Sequence, residues 1–127
     1  MKRIIVIAAL AGLAACSKPA EATPAAAAET LAADGKPSHG TFKVTRKNGT
    51  TYTTEVKPDG TYSVVAADGK VMETGKWEQK SQEQYCETSD KEGAKQKCFA
   101  EKVDDKGVYT STDPENGEVS TIVRVET

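Results

Sequence analysis

From residue 40 onward, large or β-branched residues fall at every second position: Phe42 and Val44; Tyr52, Thr54 and Val56; Tyr62, Val64 and Ala66; Val119, Thr121, Val123 and Val125. Polar or charged residues fill most of the places between. A period of two puts alternate side chains on opposite faces of an extended chain, so each run reads as a strand with one apolar face. Turn signals separate the runs at short intervals: Asn48-Gly49, Asp59-Gly60, Asp68-Gly69, Lys106-Gly107 and Asn116-Gly117. Asn-Gly and Asp-Gly suit the tight type I′ turn, whose two central residues need positive φ. The pattern predicts an all-β antiparallel meander of about eight short strands, near 40–47, 50–57, 60–67, 70–79, 83–88, 96–103, 107–112 and 117–126. Such a meander makes a small barrel, closed or partly open. No stretch reads as a long helix.

A glycine stands two residues before an aromatic in Gly40-Thr41-Phe42, Gly60-Thr61-Tyr62, Gly75-Lys76-Trp77 and Gly107-Val108-Tyr109. Aromatics placed just after a turn close a small core more often than they cradle a ligand. A domain of roughly 90 residues buries only about two-thirds of its unfolded surface. The barrel interior is therefore expected to be filled by its own side chains.

Upstream of residue 40 the pattern changes. Lys2-Arg3, an apolar run from Ile4 to Gly12, and Leu13-Ala14-Ala15-Cys16 read as a secretory signal over residues 1–15. The run is too short for a permanent transmembrane helix, which needs about 20 apolar residues. Leu13-Ala14-Ala15-Cys16 resembles the lipobox of bacterial lipoproteins, a resemblance confined to the first 17 residues. It implies cleavage before Cys16, lipidation of the Cys16 thiol and acylation of the new amino group. Ser17, where an aspartate would favour the inner membrane, implies the outer membrane of a Gram-negative cell, facing the periplasm. An anchor with two or more acyl chains keeps a protein on a membrane. Residues 16–37, rich in Ala and Pro, read as a tether. Residues 38–127, which hold every aromatic side chain, read as the folded domain.

Charge and chemistry narrow the partners. The chain has 17 basic and 19 acidic residues, a balance that offers no polyanion-binding surface and removes nucleic acid as a partner. Its single histidine, His39, excludes zinc motifs that require two and is assigned no role. No Ser-x-x-Lys, Gly-x-Ser-x-Gly or phosphate-binding glycine loop occurs. The acidic stretch from Asp113 to Glu118 has its glycine misplaced for a calcium loop, so no metal or cofactor is expected. With Cys16 assigned to lipid, Cys86 and Cys98 are the only thiols of an exported domain, and a disulfide between them follows.

These features describe a lipid-anchored envelope protein whose β domain is a non-enzymatic binding module for a protein, cell-wall or small-molecule partner. In architecture the chain is also similar to membrane-bound lysozyme inhibitors, lipoproteins with a small disulfide-bearing β-barrel. Their Ser-Gly-x-x-Tyr loop has no counterpart here, so no inhibitory residue carries over. Loops carry function disproportionately, which makes Glu87, Asp90, Lys91, Glu92 and Lys95, between the two cysteines, the candidate binding residues. Trp77 is the alternative anchor if it faces outward. An open pocket with inward-facing acids would point instead to catalysis, and a packed aromatic core to surface binding.

Overall fold

A computed structural model describes residues 30–126; the signal segment, Cys16 and the tether up to residue 29 lie outside the described residues. The described chain forms eight strands: β1 (Gly40–Thr45), β2 (Thr51–Val56), β3 (Thr61–Ala66), β4 (Val71–Ser81), β5 (Gln84–Ser89), β6 (Lys97–Val103), β7 (Tyr109–Thr112) and β8 (Val119–Arg124). Each pairs antiparallel with the next, and β1 pairs with β8 from Phe42↔Arg124 to Thr45↔Thr121. The barrel is closed, so no strand edge is left to recruit another chain.

The turns differ from the type I′ expectation. Gly49 N–H donates to the Arg46 carbonyl and Arg46 N–H to the Thr50 carbonyl, while Asn48 Oδ1 accepts from Thr50 N–H at 2.9 Å. The same arrangement recurs over 57–61 and 66–70, with Asp59 and Asp68 in the place of Asn48. Among the described residues only glycines have positive φ, Gly49 at 90° for example. These are three-residue loops, a type I turn closed by a glycine bulge. The Asn or Asp oxygen satisfies an N–H two residues on and stays at negative φ, which leaves the left-handed position to glycine alone.

In this up-and-down barrel the β1–β2, β3–β4, β5–β6 and β7–β8 turns gather at one end. The other three turns gather at the opposite end, where β1, β3 and β7 begin. The glycine-aromatic repeat therefore delivers Phe42, Tyr62 and Tyr109 to that second end. Buried Phe42, Val56, Tyr85 and Tyr109 form a cluster with Ala33, Trp77, Phe99 and Ile122 packed against it. Phe42 meets Tyr109 edge-on at 6.5 Å, and Tyr85 lies between Trp77 at 6.3 Å and Phe99 at 6.4 Å. Gly75 pairs with Tyr62, whose ring is almost wholly buried. A Cβ at Gly75 would run into the Thr88 carbonyl and come within 2.7 Å of that ring.

Residues 30–39 cover this closed end. Leu31 bridges Pro37, and Ala32 and Ser38 are buried. Arg124, the last residue of β8, donates to both Asp34 oxygens at 2.8 and 3.0 Å and to the carbonyls of His39 and Pro37. Its guanidinium stands 4.6 Å from the Phe42 ring centre. Burial works against the Asp34 charge, but the Arg124 guanidinium and the Lys36 N–H prevail and hold its pKa below the usual carboxylate value. Composition assigns residues 31–37 to the tether; small alanines and one ion pair are enough to dock them on the barrel.

The disulfide joins Cys86 and Cys98, which are directly paired on β5 and β6 with Cα atoms 4.0 Å apart. It fixes the register of the two strands that carry Tyr85, Glu87, Phe99 and Glu101.

Candidate binding cavity

Above the aromatic layer the interior is open. A cavity of about 730 Å³ runs from the covering segment, where Ala32 and Ser38 line it, past the aromatic side chains to the end formed by the β1–β2, β3–β4, β5–β6 and β7–β8 turns. Arg46, Asp68, Lys91, Asp113 and Glu118 line it at this mouth, whereas no residue of the turns over 57–60 and 104–108 does. The expectation of a filled barrel is thus corrected over most of the interior. The reason is side-chain size: Thr54, Ala66, Ser111 and Ser120 occupy inward positions and are too short to meet across an eight-stranded barrel.

Three glutamates point into this space. Tyr85 and Phe99 face inward, and the period of two sends Glu87 and Glu101, two residues further along β5 and β6, to the same side. Glu73 arrives from β4. The Tyr62 hydroxyl donates to Glu73 at 2.8 Å, and the Tyr109 hydroxyl donates to Glu101 at 2.9 Å. The Tyr85 hydroxyl is buried and, among the described residues, meets no partner at hydrogen-bond geometry.

Burial, then the charge of Glu73, pushes the Glu87 carboxyl up to about 7, with Tyr85 and Lys97 pulling the other way. Burial likewise raises Glu101 to about 7, although hydrogen bonding from Tyr109 and Gln79 resists it. The phenols of Tyr62, Tyr85 and Tyr109 are pushed far up by burial and by the neighbouring carboxylates. The hydroxyls therefore stay protonated, and each can donate to a carboxylate or accept from a ligand.

The mouth is built differently. Arg46 donates to Glu118 at 2.6 Å. Lys97 reaches Asp113 at 3.0 Å and Glu115 at 3.3 Å, and lies 5.3 Å from the centre of the Phe99 ring. Two of the lining cations thus have their closest ionic partners at the rim rather than at Glu87 or Glu101.

The residues singled out from sequence separate in space. Glu87 belongs to the cavity rather than to a solvated loop, because β5 continues to Ser89. Lys91 lies at the mouth. Asp90 accepts from the Thr74 hydroxyl at 2.9 Å, and Glu92 and Lys95 are exposed on the β5–β6 connection. Trp77 is half-buried, stacks on Tyr85 and donates its indole N–H to the Lys57 carbonyl at 2.7 Å, so it braces the core and is not an outward anchor. Glu73, Glu101 and Tyr85 were not among the sequence candidates. Tyr85-Cys86-Glu87 and Phe99-Ala100-Glu101 carried the signal: an acid two residues from a core aromatic on a strand shares its face.

Comparison with protein families, with curated proteins and with solved structures finds no match. The class of the molecule rests on its own geometry: a closed eight-stranded barrel with a disulfide and an open acidic cavity.

Proposed function

We propose that this chain is a lipid-anchored protein of the bacterial envelope whose barrel binds a small molecule in its interior without converting it. The cavity carries the reading. Its 730 Å³ lies within the range of about 300–1,000 Å³ typical of small-molecule sites, and its walls combine apolar side chains such as Val44, Val56 and Ile122 with hydroxyls and nine charged groups. The Leu13-Ala14-Ala15-Cys16 box supports an anchor on Cys16. Residues 30–39 enter at the closed end, so the tether joins the barrel at the end opposite the mouth. Mass spectrometry of the mature N-terminus tests the anchor: a diacylated or triacylated Cys16 is expected, and an unmodified cysteine contradicts it.

The binding reading is tested with N-phenyl-1-naphthylamine, a neutral apolar fluorophore. Its emission should rise in the purified protein and should lose that rise in Ser120→Trp, which fills the cavity. Equal emission with Ser120→Trp, when its melting temperature is kept, would place the probe elsewhere and overturn the reading.

One observation favours a second reading, because the acids do face an open pocket. Glu87 or Glu101, with a pKa near 7, would suit general acid–base catalysis. Binding is preferred because Glu73 and Glu101 are already held by tyrosine hydroxyls. A ligand carried through purification and returned unchanged after incubation supports binding. A converted product that disappears in Glu87→Gln or Glu101→Gln supports catalysis.

A further inference from the structure

Building on the cavity reading, we propose that the occupant is an organic cation, an amine whose apolar body fills the barrel and whose ammonium group sits against Glu87 and the Tyr85 hydroxyl. Three independent features converge on this class. The first is charge: six carboxylates but only three cationic side chains line the cavity. Of those cations, Arg46 is bonded to Glu118 and Lys97 to Asp113 and Glu115. The deep carboxylates are left with an excess of negative charge, and an anionic ligand would meet it directly.

The second feature is the Tyr85 hydroxyl. The side chain is only 9% exposed, lines the cavity, and leaves its oxygen with no partner at full hydrogen-bond geometry, only a weak interaction with Glu87. A buried polar group without a hydrogen bond is costly and calls for an explanation. Glu87 and Glu101 both act on this hydroxyl through space, so it lies in the field of the two carboxylates. An ammonium placed there has N–H donors for a Glu87 oxygen and for the Tyr85 oxygen, and lies in the longer-range field of Glu101. Tyr109, already donating to Glu101, orients that carboxylate.

The third feature is the shape of the rest of the site. Phe42, Val44, Val56, Phe99 and Ile122 offer apolar surface around the acids, which suits a carbon skeleton and not a hydrated inorganic ion. No three acidic, histidine or cysteine side chains among the described residues are close enough to hold a metal ion. The raised pKa values agree: burial holds both carboxyls up, Glu87 in spite of Lys97, and a bound cation would relieve Glu87 directly. The groups around Glu87 are Glu73 from β4, Tyr85 from β5, and Lys97 and Glu101 from β6. Those around Glu101 are Tyr109 from β7, Gln79 from β4 and Asp34 from the segment over the closed end.

The test uses one fluorophore in three forms: a dansyl group on a five-carbon chain ending in a primary amine, a methyl group or a carboxylate. Each is titrated against the purified protein and the Glu87→Gln and Glu101→Gln variants. The amine should bind at least about tenfold tighter than the methyl form; Glu87→Gln should remove about tenfold of the amine affinity and Glu101→Gln less, neither changing the methyl form. Amine binding should also release protons at pH 7 and weaken below pH 6. If the methyl or carboxylate form binds as tightly as the amine, the cation is overturned while the cavity stands. An amine preference that survives both substitutions also overturns it. If none of the three binds, the cavity reading fails and this one fails with it.

Discussion

Glu87 and Glu101 are ordinary surface residues by composition and become the centre of the site by position. Their carboxyls, raised to about 7, make stability depend on pH in a defined direction. Between the ordinary glutamate value near 4.5 and about 7 the folded state holds more protons than the unfolded one. Stability from these groups is complete below that window and falls as pH rises through it, by on the order of 3 kcal/mol for each group. Asp34 and Asp113 run the other way: their pKa values are lowered, so their contribution disappears only in acid. The ligand-free protein should therefore melt at a higher temperature at pH 5 than at pH 8. Glu101→Gln, which can still accept from Tyr109, should raise the melting temperature at pH 8 and leave it almost unchanged at pH 5. A melting temperature that climbs steadily from pH 5 to pH 8 contradicts these assignments.

At the scale of strands, the alternation of Phe42-Val44, Tyr52-Thr54-Val56 and Tyr62-Val64-Ala66 predicts elements that agree closely with β1, β2 and β3. Alternation reports which side chains share a face, and with the turn signals that was enough for the meander, while the disulfide came from the count of thiols; on β8 it chose the wrong face, since Val119, Val123 and Val125 are exposed and Ser120 and Ile122 line the cavity. It does not report how far each side chain reaches across a closed barrel, so the open interior was not legible. Nor does polarity reveal direction: Glu87 falls inside the strand expected near 83–88, but its charge does not say which face it takes, and it lines the cavity opposite Lys97. Gly75 is where strand geometry is least forgiving. Gly75→Ala forces a methyl group against the Thr88 carbonyl and the Tyr62 ring, and should cost about 3 kcal/mol by denaturant melting. Reducing the Cys86–Cys98 bond should cost a similar amount, about 3 kcal/mol on chain-entropy grounds, measured by the same melts with and without reductant. A Gly75→Ala variant of wild-type stability would mean that β4 and β5 are further apart than they stand here.

At the scale of the molecule, one end of the barrel is sealed by aromatics and by residues 30–39, and the other carries paired charges around an opening. Arg124 connects the two ends of the described chain by binding Asp34 and two carbonyls. Arg124→Gln should release the covering segment, lower stability by about 2 kcal/mol, and open a protease-sensitive site near residues 31–38 without disturbing the mouth. The central claim is that the interior, rather than the outer wall, receives the ligand. Methyl NMR with N-phenyl-1-naphthylamine tests it most directly, because Ile122 faces the cavity while its neighbour Val123 is exposed outside. The account predicts probe-dependent shifts at Val44, Val64 and Ile122 and none at Val71 or Val123; shifts confined to Val71 and Val123 would contradict it.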